Sequence, residues 1–211
     1  MRKSVVVLVC IGVIDSMALR AMAQASEDEV SRIESLVEEV NQEQVEAAVL
    51  QLQPWYSRAK TERVRVSRRG HLDRLVEAIT VASKTNRIDP LLSVAVAFRE
   101  SSLMPVVGLG SLRGRHGDLG YFQILPGGAA IRVCGTCQDL DEPMCNALVA
   151  TCYMRRVQEH CKSTNPWIWL GGYGRSRCAS SLHEARQWGE VRRARSLYCK
   201  VREDCATYWP E

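Results

Sequence analysis

The sequence predicts an all-α domain stapled by disulfides. Three observations predict it. From His71 onward apolar residues recur at steps of three and four, and no run alternates as a half-buried strand would. Helix-starting signals such as Asp89-Pro90 and Ser181-x-x-Glu184 punctuate those runs. Eight cysteines lie between Cys134 and Cys205. A chain of 211 residues suits one domain with an appendage. Hydrophobic content of 46% and charged content of 25% exclude a disordered chain. No run approaches the ~18 apolar residues of a membrane-spanning helix.

Residues 1–25 read as an export signal. Arg2 and Lys3 form its basic start, Val5 to Ile14 its apolar core, and Ala23-Gln24-Ala25 its cleavage site. A periplasmic or secreted location is therefore expected. Residues 26–53 read as an acidic amphipathic helix, with Val30, Ile33, Val37 and Val40 on one stripe that Gln44 interrupts. Its net charge is −7. Residues 54–70 read as a basic linker or edge element of net +5, opened by the helix-breaking Pro54. The whole chain carries +4, so 54–211 carries +9, which favours an anionic partner. The acidic helix has the charge to fold back onto that basic body.

Residues 71–86 carry Leu72, Leu75, Val76, Ile79 and Ala82 at helical spacing, and Asn86-Arg87-Ile88 ends the run. Asp89 then suits an N-cap and Pro90 the first helical position. Leu91 to Phe98 is apolar apart from Ser93, and a helix apolar all round is buried. It ends in Arg99-Glu100-Ser101-Ser102, and a glycine-rich stretch follows, from Gly108 to Gly120. Beyond it, a short helix is expected near 127–133, a long one over 142–160, and an aromatic, glycine-rich corner over 167–174. A last helix is expected from the Ser181 capping box to about Cys199. Trp167 and Trp169 are expected in the core.

The cysteines Cys134, Cys137, Cys145, Cys152, Cys161, Cys178, Cys199 and Cys205 predict up to four disulfides in an oxidising compartment. Eight cysteines allow 105 pairings, so sequence does not give the connectivity. One pair is excluded. On a helix over 142–160, Cys145 and Cys152 stand roughly 10 Å apart, beyond the ~7 Å reach of a disulfide. A zinc site on Cys134-x-x-Cys137 with Cys145 or His160 is the rival use of these residues, but a second paired motif is missing. No metal or cofactor is expected.

Glu100 is the candidate catalytic residue. A carboxyl group at the end of a buried helix is partly removed from water, which disfavours its ionised form. Such an acid can protonate a leaving oxygen, the task of a glycosidase acid. The bland alternative is a glutamate paired with Arg99 beside it.

Four stretches, in order, resemble the lytic transglycosylases, a lysozyme-like family that cleaves peptidoglycan glycan strands. IDPLLSVAVAFRESSL resembles the family helix that ends in the catalytic Glu-Ser, matching Glu100-Ser101. Gly120-Tyr121-Phe122-Gln123 resembles its Gly-Leu-Met-Gln turn, with Tyr-Phe in place of Leu-Met. Asn146-Ala147-x-x-Ala150-x-x-Tyr153-Met154 resembles its Asn-Ile-x-x-Gly-x-x-Tyr-Leu helix. Gly171-Gly172-Tyr173-Gly174 resembles its Ala-Ala-Tyr-Asn corner, with Gly174 at the Asn position. The resemblance covers roughly 72–180 and leaves the acidic helix and the cysteines unexplained.

It implies a lysozyme-like helical domain over 71–211, monomeric, acting on peptidoglycan strands. Glu100 would be the single acid and base, and the products would carry anhydro-muramyl ends. Ser101, Gly120, Tyr121, Phe122, Gln123, Asn146, Tyr153 and Tyr173 would form the substrate site. Tyr121 and Phe122 would be its glycan-facing wall, Gln123 a hydrogen-bonding group, and Tyr153 and Tyr173 flankers of Glu100. Arg113, Arg115 and His116 could meet an anionic strand. A hydrolytic muramidase would need a second carboxylate, for which Asp118 is the nearest loop candidate. A non-catalytic wall-binding module is the alternative from another class. Nucleic acid is not an expected partner, since only the basic run 58–69 fits one.

Overall fold

In the computed structural model, Ser31, Ser35 and residues 37–209 are described, except residues 136, 138 and 176. The chain divides into two compact units, residues 1–35 and 36–211. In the first, Ser31 and Ser35 are helical and exposed. The expected export signal, 1–25, lies outside the described residues. The second unit is all-α. Its described residues contain no strand, only an isolated antiparallel bridge between Leu119 and Ile124.

The acidic helix is two pieces, not one. Residues 37–39 are helical, and a new helix, α1 (Gln42–Leu52), starts after Asn41. Asn41 and Gln44 cap it reciprocally, each side-chain oxygen accepting the other's backbone N–H at 2.9 Å. Gln44 interrupts the apolar stripe because it serves that cap.

The expected basic linker over 54–70 is also corrected. A 3-10 turn, Pro54–Tyr56, leads into α2 (Glu62–Thr85), which contains the rest of the basic run. Thr61 caps it by accepting the Val64 N–H. Arg68 lies 4.0 Å over the Trp55 ring and donates to the Trp55 carbonyl at 2.6 Å. Gly70 sits in mid-helix with open space around it, so it punctuates nothing. Glu46 of α1 pairs with Arg69 of α2, so the acidic segment does meet the basic one.

The buried helix is α3 (Pro90–Ser101), and every residue from Pro90 to Ala97 is buried. It packs against α1, α2 and the later helix α9 (Gly189–Val201), which explains why it is apolar on all sides. Its one polar interior residue, Ser93, accepts the Ser83 hydroxyl at 2.8 Å. Asp89 caps it as expected, with Oδ1 accepting the Leu91 N–H at 2.8 Å. The same carboxylate is fully buried, and Oδ2 takes the Tyr198 hydroxyl at 2.6 Å and Arg202 Nη1 at 3.1 Å. Ser102 and Leu103 follow with φ near +53°, turning the chain sharply out of the helix.

A single turn, α4 (Pro105–Gly108), and the glycine-rich loop lead to α5 (Ala129–Cys134). The long helix α6 (Pro143–Cys161) packs along α2. Thr151 stitches the two, donating to the Ala82 carbonyl at 3.0 Å and accepting from Asn86 at 2.9 Å.

The expected aromatic corner is a helix, α7 (Pro166–Arg175). Asn165 starts it by accepting the Trp167 N–H at 3.0 Å. Its glycines serve packing: a Cβ on Gly171 would lie 1.8 Å from the Trp188 ring. The expected last helix is broken at that same Trp188, into α8 (Leu182–Gln187) and α9. Trp188 takes an extended conformation that lets its indole fill the space over Gly171. A short α10 (Cys205–Tyr208) closes the chain. Trp167 and Trp169 are buried, as expected.

Four disulfides join Cys134–Cys152, Cys137–Cys145, Cys161–Cys178 and Cys199–Cys205. Cys145 and Cys152 take different partners, as helix geometry requires. The thiols invoked for a zinc site are all oxidised. No described helix is long and apolar enough to cross a membrane.

Asp89→Ala would remove the buried partner of the Arg202 guanidinium, which is 8% exposed, and leave it the half-exposed Asp204 carboxylate. Removing one member of such a buried pair costs about 3–5 kcal/mol. Denaturant unfolding should show a loss of that size, and Asp89→Ala with Arg202→Met should recover part of it.

Candidate active site

The last turn of α3 carries Glu100 to the floor of a cleft of about 330 Å³. Asp118, Phe122, Gln123, Tyr153, Tyr173 and Gly174 also line it. The cleft does not end at Glu100. A second hollow of about 520 Å³ shares Glu100 and Gly174 and continues toward Arg99, Glu190 and Arg193. The acid therefore sits along an open groove. Gly174 faces open space that a Cβ would not fill.

Glu100 is 28% exposed and ion-paired with Arg99, which is 7% exposed. Arg99 Nε donates to Glu100 Oε1 at 3.0 Å, and Nη2 addresses that same oxygen. No hydrogen bond to Oε2 occurs among the described residues, so one carboxylate oxygen is held and the other is open. Arg99 Nη1 reaches the Glu190 carbonyl at 3.4 Å. The Glu190 carboxylate pairs in turn with Arg175, whose Nη2 donates to Oε2 at 3.2 Å. The pairing with the adjacent Arg99, the alternative that the sequence left open, is present.

Tyr153 and Tyr173 stand on facing elements with ring centroids 5.7 Å apart. The Tyr173 hydroxyl donates to the Phe122 carbonyl at 3.3 Å. Burial, and then the nearby Glu100 charge, push the Tyr173 phenol well above its ordinary range. It therefore stays a neutral donor. Both tyrosines line the cleft with Glu100, as the sequence suggests.

The turn between them is built from inside. Gly120 has φ +72°, and a Cβ there would lie 2.2 Å from the Asn146 amide. Asn146 is fully buried; Oδ1 accepts the Phe122 N–H at 2.8 Å and Nδ2 donates to the Leu119 carbonyl at 3.0 Å. Leu119 and Ile124 close the turn with two backbone bonds of 3.0 and 2.9 Å. Asn146 and Gly120 thus shape the site without facing it, which corrects their expected substrate contact.

Two aromatic assignments change as well. Tyr121 is buried, its ring packed over Gly108 and its hydroxyl 3.4 Å from that of Tyr56. It is core, because Tyr56 and Gly108 form a slot on the inner side of the turn. Phe122 is also buried, at 1% exposure, and borders the cleft without forming an open wall. Ser101 turns inward, donating to the Ala97 carbonyl at 2.9 Å and accepting the Leu103 N–H at 3.2 Å. It ends the helix.

Gln123 lines the cleft at φ +50°, its Nε2 tied to the Gly120 carbonyl at 2.8 Å. Its Oε1 and Asp118 Oδ2 converge over Gly114, where a Cβ would meet them at 2.3 and 2.7 Å. Arg113, Arg115 and His116 are exposed and do not line the cleft.

Comparison with protein-family models, curated proteins and solved structures finds no match. The site therefore stands on its own geometry. Sequence spacing had no means of finding the Glu190–Arg175 clamp, since Arg99 and Glu190 lie 91 positions apart. No cluster of metal-binding side chains occurs among the described residues.

Asn146→Ala takes the acceptor from the buried Phe122 N–H, while the Leu119 carbonyl keeps the Ile124 N–H. Unfolding should show a loss of about 1–3 kcal/mol. A pH effect follows from the clamp. Arg175 holds the Glu190 carboxyl below its ordinary value of 4.5, so the unfolded chain binds more protons just below that pH. The stabilisation is complete above about pH 4.5 and is lost as the pH falls through the lowered value. Glu190→Gln should flatten the fall in melting temperature between about pH 5 and pH 3 relative to the unmodified protein.

Proposed function

We propose that the chain is an exported, lysozyme-like lytic transglycosylase that cleaves the MurNAc-GlcNAc bond of peptidoglycan. The observation that carries this is Glu100, at the end of a buried helix, in an open groove that the paired rings of Tyr153 and Tyr173 also line. A polymer can lie along such a groove with its bonds presented to one acid. The four disulfides fit a protein that matures in an oxidising compartment.

In this mechanism Glu100 Oε2, which accepts no hydrogen bond from the described residues, carries the proton. It passes to the glycosidic oxygen as the bond from that oxygen to the muramic C1 breaks. Arg99 holds Oε1 and fixes the carboxyl plane. The C6 hydroxyl oxygen of the same muramic residue then bonds to C1, and Glu100 takes its proton back. No water enters, and the product ends in a 1,6-anhydro ring. Tyr173, held neutral, and the Phe122 carbonyl that it meets would position the sugar beside the acid.

One observation favours a second mechanism on the same substrate. Asp118 lines the cleft with Glu100. An inverting hydrolase holds its water between two carboxyl groups ~6.5–9.5 Å apart. The two outcomes differ by one water in product mass.

Glu100→Gln keeps an acceptor oxygen for Arg99, so the variant should fold with near-normal stability. Incubated with purified sacculi, it should release no muropeptides, while the unmodified protein releases fragments with anhydro ends. Full activity in Glu100→Gln would remove the assignment. Reducing-end products together with an inactive Asp118→Asn would establish hydrolysis, and sacculus binding without turnover a wall-binding module.

A further inference from the structure

A further cavity, of about 500 Å³, lies beside the cleft, and Ala129 and Tyr153 line both. Arg132 of α5, Arg156 and His160 of α6, and Arg177 after α7 stand around it, and no aspartate or glutamate is among its lining residues. The proposed reaction uses none of these four. Each arginine also holds a protein partner: Arg132 the Gly127 carbonyl at 2.7 Å, Arg156 the Glu159 carboxylate at 3.1 Å, and Arg177 the Glu184 carboxylate at 2.7 Å. Those contacts engage one nitrogen each and orient the guanidinium groups, which carry five N–H donors apiece.

The Cys161–Cys178 disulfide joins the end of α6 to the segment carrying Arg177. The cavity is thereby fixed to the helix that carries Tyr153. Its lower wall, including Val157, is apolar. A ligand that fits is a short chain with an apolar stem and one or more carboxylates.

We infer that this cavity is an anion-accepting subsite for the peptide carboxylates carried by a muramic residue bound in the Glu100 cleft. The inference rests on the proposed function, because that reading supplies a glycan whose side chain is an acidic peptide. Tyr153 is the divide: sugar on the Glu100 side, peptide on the basic side. Arg156 and Arg177 are 60% and 59% exposed, so solvent screens each. The subsite therefore works through three guanidinium groups together and acts as a preference for peptide-bearing strands.

The test uses the full chain with Glu100→Gln, so that the probe survives. Two soluble probes are titrated calorimetrically at low salt: the GlcNAc-MurNAc disaccharide bearing a free-acid tripeptide, and the same disaccharide without peptide. The peptide-bearing probe should bind about tenfold tighter, three weak charge-assisted contacts each contributing roughly twofold. Adding Arg132→Gln, Arg156→Gln and Arg177→Gln should bring the ratio to within about twofold, and amidating the peptide carboxylates should do the same with no substitution in these arginines. Circular dichroism of the variant checks that it folds; should the triple variant unfold, the amidated probe decides. Equal affinity for the two probes, or an unchanged preference after amidation, overturns the subsite. Sacculus cleavage by the unmodified protein is measured in parallel. Cleavage without a peptide preference removes the subsite and keeps the enzyme. A peptide preference without cleavage removes the enzyme and keeps an acid-reading wall-binding site.

Discussion

One buried carboxylate orders this molecule. Asp89 lies fully out of water, yet it caps the central helix, accepts a tyrosine hydroxyl and neutralises an arginine. An uncompensated charge in that position would be expensive, so the three contacts are satisfied together or the helix is not seated. The seating matters because α3 is enclosed by α1, α2 and α9 and has no surface of its own along most of its length. Its position is set by its two ends. Asp89 fixes one of them, and Ser101, folded back onto the Ala97 carbonyl, defines the other.

Everything chemical hangs from that second end. Glu100 is presented in the last helical turn, and its orientation is tied to Arg99, Glu190 and Arg175 by a sequence of polar contacts. The opposite wall is held just as firmly, through Asn146 under the Gly120 turn and the Tyr173 hydroxyl on the Phe122 carbonyl. A site assembled on rigid supports of this kind keeps its geometry without a bound ligand. The groove is consequently preformed and open on both sides of Glu100, with aromatics, Gln123 and Asp118 on one side and Glu190 and Arg193 on the other.

Much of this was legible in local sequence, and the failures have a common origin. The caps at Asp89 and Ser181 are read from two to four neighbouring residues, and both cap as bonds in the structure. The burial of α3 follows from composition alone. What local sequence does not carry is the partner at long range. Tyr121 reads as a cleft aromatic until Tyr56, 65 positions away, claims its hydroxyl. The glycines of 171–174 read as a loop until Trp188 is seen to need Gly171 bare. The basic run at 62–70 reads as a linker because its valines are exposed, leaving no apolar stripe to mark the helix. Glu100 was legible as a candidate, and its pairing with the adjacent Arg99 is a matter of side-chain direction that spacing leaves open.

The Asp89–Arg202 pair has a further consequence for how the chain comes together. Its members lie 113 positions apart, and Arg202 sits inside the small loop closed by Cys199 and Cys205. A helix near the middle of the sequence thus waits for almost the last residues before its charge is matched. Contacts of such long range are paid for in loop entropy before they return any stability. A chain cut short before residue 202 would leave the Asp89 carboxylate, buried at the start of α3, without the Arg202 counter-charge.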